Sequence, residues 1–149
     1  MTDLNLTQAD ADALLFMEKH RLDKTAYEYP ALGGSVRIPL QSTDKREKFI
    51  LDITRGQVNL AKGTYQNRAR NVIVLARLDF AGAPHRNPDD AEIPCPHLHL
   101  YREGYGDKWA YSVPADRFPN TSDRWILLED FMSYVNITLT PDISRGLFI

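Results

Sequence analysis

Three of the four histidines of the chain (His85, His97, His99) and its one cysteine, Cys95, fall between Pro84 and Tyr101, in the run PHRNPDDAEIPCPHLHLY. Imidazole and thiolate are the side chains that bind transition metals or move protons near neutral pH. Side chains alternate across a strand, so in the His97–Tyr101 segment Leu98 and Leu100 point one way and His97, His99 and Tyr101 the other. Two imidazoles at i and i+2 lie about 6–7 Å apart along a strand, and suitable rotamers can bring both onto one ion. Cys95 continues the same parity between two prolines, and His85 opens the loop that returns to this point.

Two kinds of chemistry follow. Zinc takes three or four N, S or O ligands at tetrahedral positions. His85, Cys95, His97 and His99 together would close a structural zinc site, and three of them plus water would leave an open one. Without a metal, His85, His97 and His99 would serve as general acid and base while Arg77 stabilises a phosphoryl transition state. Asp89, Asp90 and Glu92 follow Asn87-Pro88 and read as solvated loop charges, with hard-cation binding as the other reading. Asp79 is the one carboxylate placed on a strand nearby.

The net charge of −2 hides a basic segment. From Arg55 to Arg77 lie Arg55, Lys62, Arg68, Arg70 and Arg77 with no acidic residue between them. Such a concentration is a candidate phosphate-binding face even in a mildly acidic protein. Arg55, Lys62, Arg68, Arg70 and Arg102 are the candidate phosphate contacts, and Tyr65 and Tyr101 the candidate base-stacking residues. No Gly-rich phosphate loop, serine elbow or dinucleotide fingerprint is present.

The elements that must position these residues are legible as periodicities. Thr7, Asp10, Ala11, Leu14, Leu15 and Met17 predict a capped amphipathic helix over 8–21. Val36, Ile38 and Leu40 predict a first strand, Phe49, Leu51 and Ile53 a second, and Val58 and Leu60 a third after a turn at Thr54–Gln57. Val72–Phe80 is the strongest strand signal, with Val72, Val74, Ala76, Leu78 and Phe80 on one face and Ile73, Leu75, Arg77 and Asp79 on the other. After the Gly82–Pro96 loop come the His97–Arg102 strand, a Gly104–Gly106 turn and a strand carrying Trp109, Tyr111 and Val113. Ser122, with Asp123 in the first turn, predicts the cap of a second helix whose buried stripe is Leu127, Leu128, Phe131 and Val135. Residues 136–149 give no clear assignment, and the apolar end from Gly146 would dock on the domain or on a second chain.

The expectation is one α+β domain over 1–149: an antiparallel sheet of about five to six strands flanked by an N-terminal and a C-terminal helix. At 149 residues, with 43% apolar and 26% charged residues, the chain can bury a core without disulfides. A lone cysteine, no signal-peptide pattern and no long apolar run point to the cytoplasm and away from a membrane.

The segments Leu78-Asp79, Ala83-Pro84-His85, Pro96-His97-Leu98-His99 and Leu127–Phe131 resemble a small bacterial and prophage protein family. The string CPHLHLYREGYGDKW, Cys95 to Trp109, is the most specific part, and the resemblance spans roughly residues 45–135. It implies no particular activity. More distantly, the order of strand, Asp, Ala-Pro-His, His-rich knot and Leu-x-Asp-Phe helix is similar to TumE-type toxins of toxin–antitoxin pairs, although the acidic insert and Cys95 depart from their pattern. The resemblance implies a toxin-like protein acting on RNA through the histidines, with an antitoxin as partner. The alternative expectation is a zinc-binding interaction protein, such as a phage-encoded inhibitor of a host defence complex.

Overall fold

The computed structural model describes residues 5–146. In chain order the elements are α1 (Gln8–Phe16), β1 (Lys19–Arg21), β2 (Ala26–Glu28), β3 (Ser35–Ser42), β4 (Lys48–Arg55), β5 (Gly63–Ala69), β6 (Ile73–Phe80), β7 (His85–Arg86) and β8 (Glu92–Ile93). They continue with β9 (His97–Leu100), β10 (Ala110–Ser112), α2 (Arg124–Tyr134), β11 (Ile137–Leu139) and β12 (Asp142–Ser144). The α+β class holds, but the main sheet has eight strands rather than five or six, in the order β10-β9-β6-β5-β4-β3-β1-β11. β2 pairs with β12, and β7 with β8, in small separate ladders. The main sheet is antiparallel except where β11 runs parallel to β1. Of the unassigned tail, 137–139 and 142–144 are thus strands; the apolar end beyond Gly146 lies outside the described residues.

Three departures from the sequence pattern have physical causes. First, Val58 and Leu60 are not in a strand: Val58 is 98% exposed. The Asn59 side chain holds the 56–62 segment as a turn, accepting from Ala61 N and donating to Ala81 O. A Cβ on Gly56 would lie 2.5 Å from the Asn59 carbonyl oxygen. The third strand is β5 instead, whose mostly polar sequence GTYQNRA hides its alternation. Residues 70–72 join it to β6, with Val72 N donating to Ala69 O and Arg70 and Asn71 both at positive φ, the sign pattern of a type I′ turn.

Second, the register of β5 against β6 shifts: Ala76 faces Asn67 while Val74 faces Arg68, leaving Leu75 as an extra residue. A bulge of this kind reverses side-chain parity. Ile73 and Leu75 therefore join the core on one side of it, and Ala76, Leu78 and Phe80 on the other, while Val72 is exposed. Tyr101, whose amide donates to Leu75 O, leaves the histidine face as well. Its hydroxyl sits in the core between the amide and carbonyl of Leu6.

Third, one helix start and one helix end differ in detail. Thr7 caps α1 as expected, but α1 stops at Phe16 because Lys19–Arg21 pairs with β3. Asp123, not Ser122, caps α2, its carboxylate accepting from Trp125 N and Ile126 N.

Apolar residues of β3–β6 and β9 (Ile38, Leu40, Phe49, Leu51, Ile53, Leu78, Leu98) share one core with Leu14 and Leu15 of α1 and Leu128 and Phe131 of α2. Lys19 is fully buried within it. Its ammonium donates to Leu15 O at 2.6 Å, Met17 O at 3.0 Å and Val135 O at 2.7 Å, and lies 4.7 Å from the centre of the Phe49 ring. Carbonyls at helix C-termini lack intrahelical donors and carry the negative end of the helix dipole. One side chain thus ties together the ends of both helices.

Replacing Lys19 with Met keeps the volume and strands three carbonyls. We expect a loss of about 2–4 kcal/mol in thermal or urea unfolding. Burial pulls the Lys19 ammonium down from 10.5 to about 7, so across that window the unfolded chain binds more protons than the native one. Through this group stability rises with pH from about 7 to 10.5 and is lost as pH falls back towards 7. Unfolding of Lys19→Met followed over the same range should lack that rise.

Candidate metal centre

The face of the sheet opposite the helices carries two rows of polar side chains running across the strands. Register aligns Arg37, Asp52, Gln66, Arg77 and His99 in one row, and Thr54, Thr64, Asp79 and His97 in the next. The rows meet at Asp79. Its carboxylate accepts from Arg77 Nε at 3.1 Å, Arg77 Nη2 at 3.3 Å and Thr64 Oγ1 at 3.2 Å. His97 Nε2 and His99 Nε2 each stand 3.2 Å from the same oxygen, Oδ2. Among the described residues, Asp79, His97 and His99 form a group able to hold a metal ion, each offering one ligand atom and all within 4.8 Å of one another.

Both rings are held from outside. His99 Nδ1 donates to the Asp107 carbonyl at 2.8 Å, which leaves Nε2 with a lone pair when the ring is neutral. His97 is also hydrogen-bonded to the Pro94 backbone. Burial pushes the His97 imidazole below its ordinary value despite the pull of Asp79. For Asp79 burial acts to raise the carboxyl, but the hydrogen bond from His99, made when that ring is protonated, and the Arg77 guanidinium outweigh it and hold the group well below the usual carboxylate range. Arg77 reaches on to Asp107 Oδ2 at 2.9 Å and stands 3.0 Å from His99 Nε2.

The 81–96 segment covers this cluster. Asn87 is buried and replaces a strand's amide, donating to Ala110 O at 2.9 Å and accepting from Ala110 N at 2.8 Å along the edge of β10. His85 spends Nε2 on the Lys108 carbonyl at 2.7 Å and stacks edge-on over His99, with ring centres 4.5 Å apart. His97 and His99 are consequently 2% and 1% exposed. The acids of the loop serve its own hairpin: Asp89 accepts from Ala91 N and Glu92 pairs with Arg86 at 2.7 Å. What remains open is a cleft of about 410 Å³ beside Asp79 and His97, bordered by Thr64, Gln66, Lys62 and Cys95.

Of the four proposed ligands, the structure joins His97 and His99 and adds Asp79. Cys95 lies 3.5 Å from His97 Nδ1, on the side of the ring facing away from Nε2, so it does not share the point on which the two Nε2 atoms converge. His85 has turned its Nε2 elsewhere. Asp79 is the carboxylate that the sequence places on a strand, on the same side of β6 as Arg77; its register opposite His97 has no signal in the sequence. Arg77 does stand at the cluster.

The proposed phosphate-binding set is dispersed. Arg55 is buried, donating to Pro30 O and packed over Tyr29. Arg68 is locked in a two-point pair with Asp52 at 2.7 and 2.9 Å, and Arg70 pairs with Glu47 at 3.0 Å. Arg102 stacks on Trp109, 4.0 Å from the ring centre. Tyr65 is fully buried, its hydroxyl donating to Arg124 O and accepting from Tyr29, and Tyr101 is in the core as described. Neither tyrosine is placed to stack on a base. Only Lys62 of this set is exposed at the cleft.

Residues 6–137 match the model of a family of unknown function (DUF6978). The chain belongs to that family. No curated protein and no solved structure matches it. No helix among the described residues is long and apolar enough to cross a membrane.

Because Asp79 balances a guanidinium and orients two buried imidazoles, its removal should be felt by the whole DUF6978 domain. Asp79→Ala is expected to cost about 2–4 kcal/mol in chemical unfolding, whereas Asp89→Ala, in the exposed hairpin, should stay within about 0.5 kcal/mol of the parent.

Proposed function

We propose that this chain is a metal-binding protein in which Asp79, His97 and His99 hold one divalent transition ion, zinc by its donor set. The observation that carries the reading is the approach of two imidazole Nε2 atoms to one carboxylate oxygen at 3.2 Å each, with Nδ1 of His99 committed to a backbone carbonyl. A histidine ligand characteristically donates its second ring nitrogen to such a partner, which fixes tautomer and orientation. Arg77 would have to withdraw from His99 Nε2 as the ion enters, and Asp107 gives its guanidinium a place to remain.

Three protein donors are the complement of sites that keep a coordination position open. The ion would supply Lewis-acid polarisation of an ester or phosphoryl oxygen. Arg77 would orient and neutralise a bound phosphate from the neighbouring position on the sheet. In this reading the protein acts on RNA, as a toxin-like enzyme. A metal-free version, in which the histidines move protons at the phosphate, is favoured by one observation: Arg77 already supplies a positive charge between Asp79 and His99.

Elemental analysis of untagged protein and zinc titration followed by calorimetry test the assignment. We expect about one ion per chain, lost in His97→Ala and His99→Ala variants that keep the parent circular dichroism. Absence of binding by the wild type at micromolar zinc would overturn the metal reading and leave the metal-free one. Binding without cleavage of RNA, and without growth arrest when the gene is induced, would instead identify a non-enzymatic zinc protein that works through a protein partner.

A further inference from the structure

A second cleft, about 560 Å³, opens beyond the C-terminal end of β6, between the 56–62 turn, the start of α2 and the end of the described chain. It adjoins the cleft of the metal centre, since Phe80 and Cys95 border both. Phe80, Pro96 and Leu127 give it an apolar wall. Arg124 and Arg145 border it directly, and Lys62 borders the neighbouring cleft, its stem passing Gly82, where a Cβ would meet Lys62 Cε at 3.6 Å.

The charges along this double cleft are unequal in a specific way. Its carboxylates are all engaged within the chain: Asp52 with Arg68, Asp79 with Arg77, and Asp123 as the cap of α2. Among the described residues no carboxylate pairs with Lys62, Arg124 or Arg145. Arg145 is exposed and stacked against Trp125, with 5.4 Å from its guanidinium carbon to the ring centre, and Arg124 donates to Leu60 O. A concave site with an apolar wall and uncompensated cations fits a ligand that is flat and apolar at one end and anionic at the other.

We infer that the double cleft binds a nucleoside phosphate, free or as a unit of an RNA strand, with its base against Pro96 and its phosphate towards Lys62, Arg124 and Arg145. None of these residues is a donor of the proposed metal centre, so the inference stands or falls apart from that reading. Cavity size agrees, being within the 300–1,000 Å³ or so that small-molecule sites occupy.

Calorimetry of the full chain with AMP and, separately, with a single-stranded hexaribonucleotide tests it, in 50 mM and 200 mM salt. Binding of both, with the oligonucleotide more salt-dependent, identifies a strand site; binding of AMP alone identifies a free nucleotide. In either case Lys62→Gln and Arg145→Gln should each weaken binding about tenfold, and where the strand binds they should flatten its salt dependence by about one unit of slope. Arg46→Gln, in the hairpin at the other end of the sheet, should change neither. No heat with either ligand at millimolar concentration, or binding unmoved by the Lys62 and Arg145 variants, would overturn the inference. His99→Ala serves as the separating control: loss of zinc with nucleotide binding intact would leave the cleft assignment standing.

Discussion

One buried ammonium sets the architecture. Lys19 lies where the carbonyl ends of α1 and α2 meet the sheet, and its three protons are matched by three carbonyls from Leu15, Met17 and Val135. Neither helix has a basic residue in its last turn, so without Lys19 the Leu15, Met17 and Val135 carbonyls would lose this donor. This arrangement requires both helices on the same side of β1, with the same polarity at the join. The opposite face of the sheet is then left to polar side chains and loops, and that is where the candidate site is found.

On that face the strands act as a ruler. Antiparallel register places Thr64, Asp79 and His97 side by side, and Asp52, Gln66, Arg77 and His99 in the adjacent row. Each acid lies next to a base: Asp52 is clasped by Arg68, Asp79 by Arg77, and Arg77 itself is shared with Asp107. Such a network is rigid because every move breaks more than one charge-assisted bond. Rigidity of this kind is what a site needs if its donor atoms are to hold their spacing.

The sequence carried the histidine side of this picture and lost the rest at identifiable points. Parity alone separated His97 and His99 from Leu98, because four residues of regular strand suffice for that inference. Arg77 and Asp79 do lie together on one side of β6, but the bulge at Leu75 breaks the same alternation for Val72 and Val74. β5 was invisible because Thr64, Gln66 and Arg68 face the polar side while Tyr65, Asn67 and Ala69 face the core, giving no aliphatic period. Val58 and Leu60 supplied a false one in the turn just before it. The basic segment misled for the same reason that the fold works: Arg68 and Arg70 are close in sequence, yet each is neutralised by a carboxylate from a strand or hairpin far along the chain.

The covering hairpin gives the site its direction of access. Asn87 closes the β10 edge and His85 lies over His99, so approach from the β10 side meets side chains already bonded to backbone. The open side is towards Phe80, where β6 ends and the chain turns at Ala81 with positive φ. Gly63 faces Phe80 across the ladder, and any Cβ there would lie 2.4 Å from the ring. The glycine thus lets the phenyl ring lie flat over β5 instead of filling the cleft. Phe80 and Cys95 border the opening at Asp79 and His97, and the same two residues border the cationic cleft beyond. Entry to the buried imidazoles and occupancy of that cleft are for this reason linked by geometry.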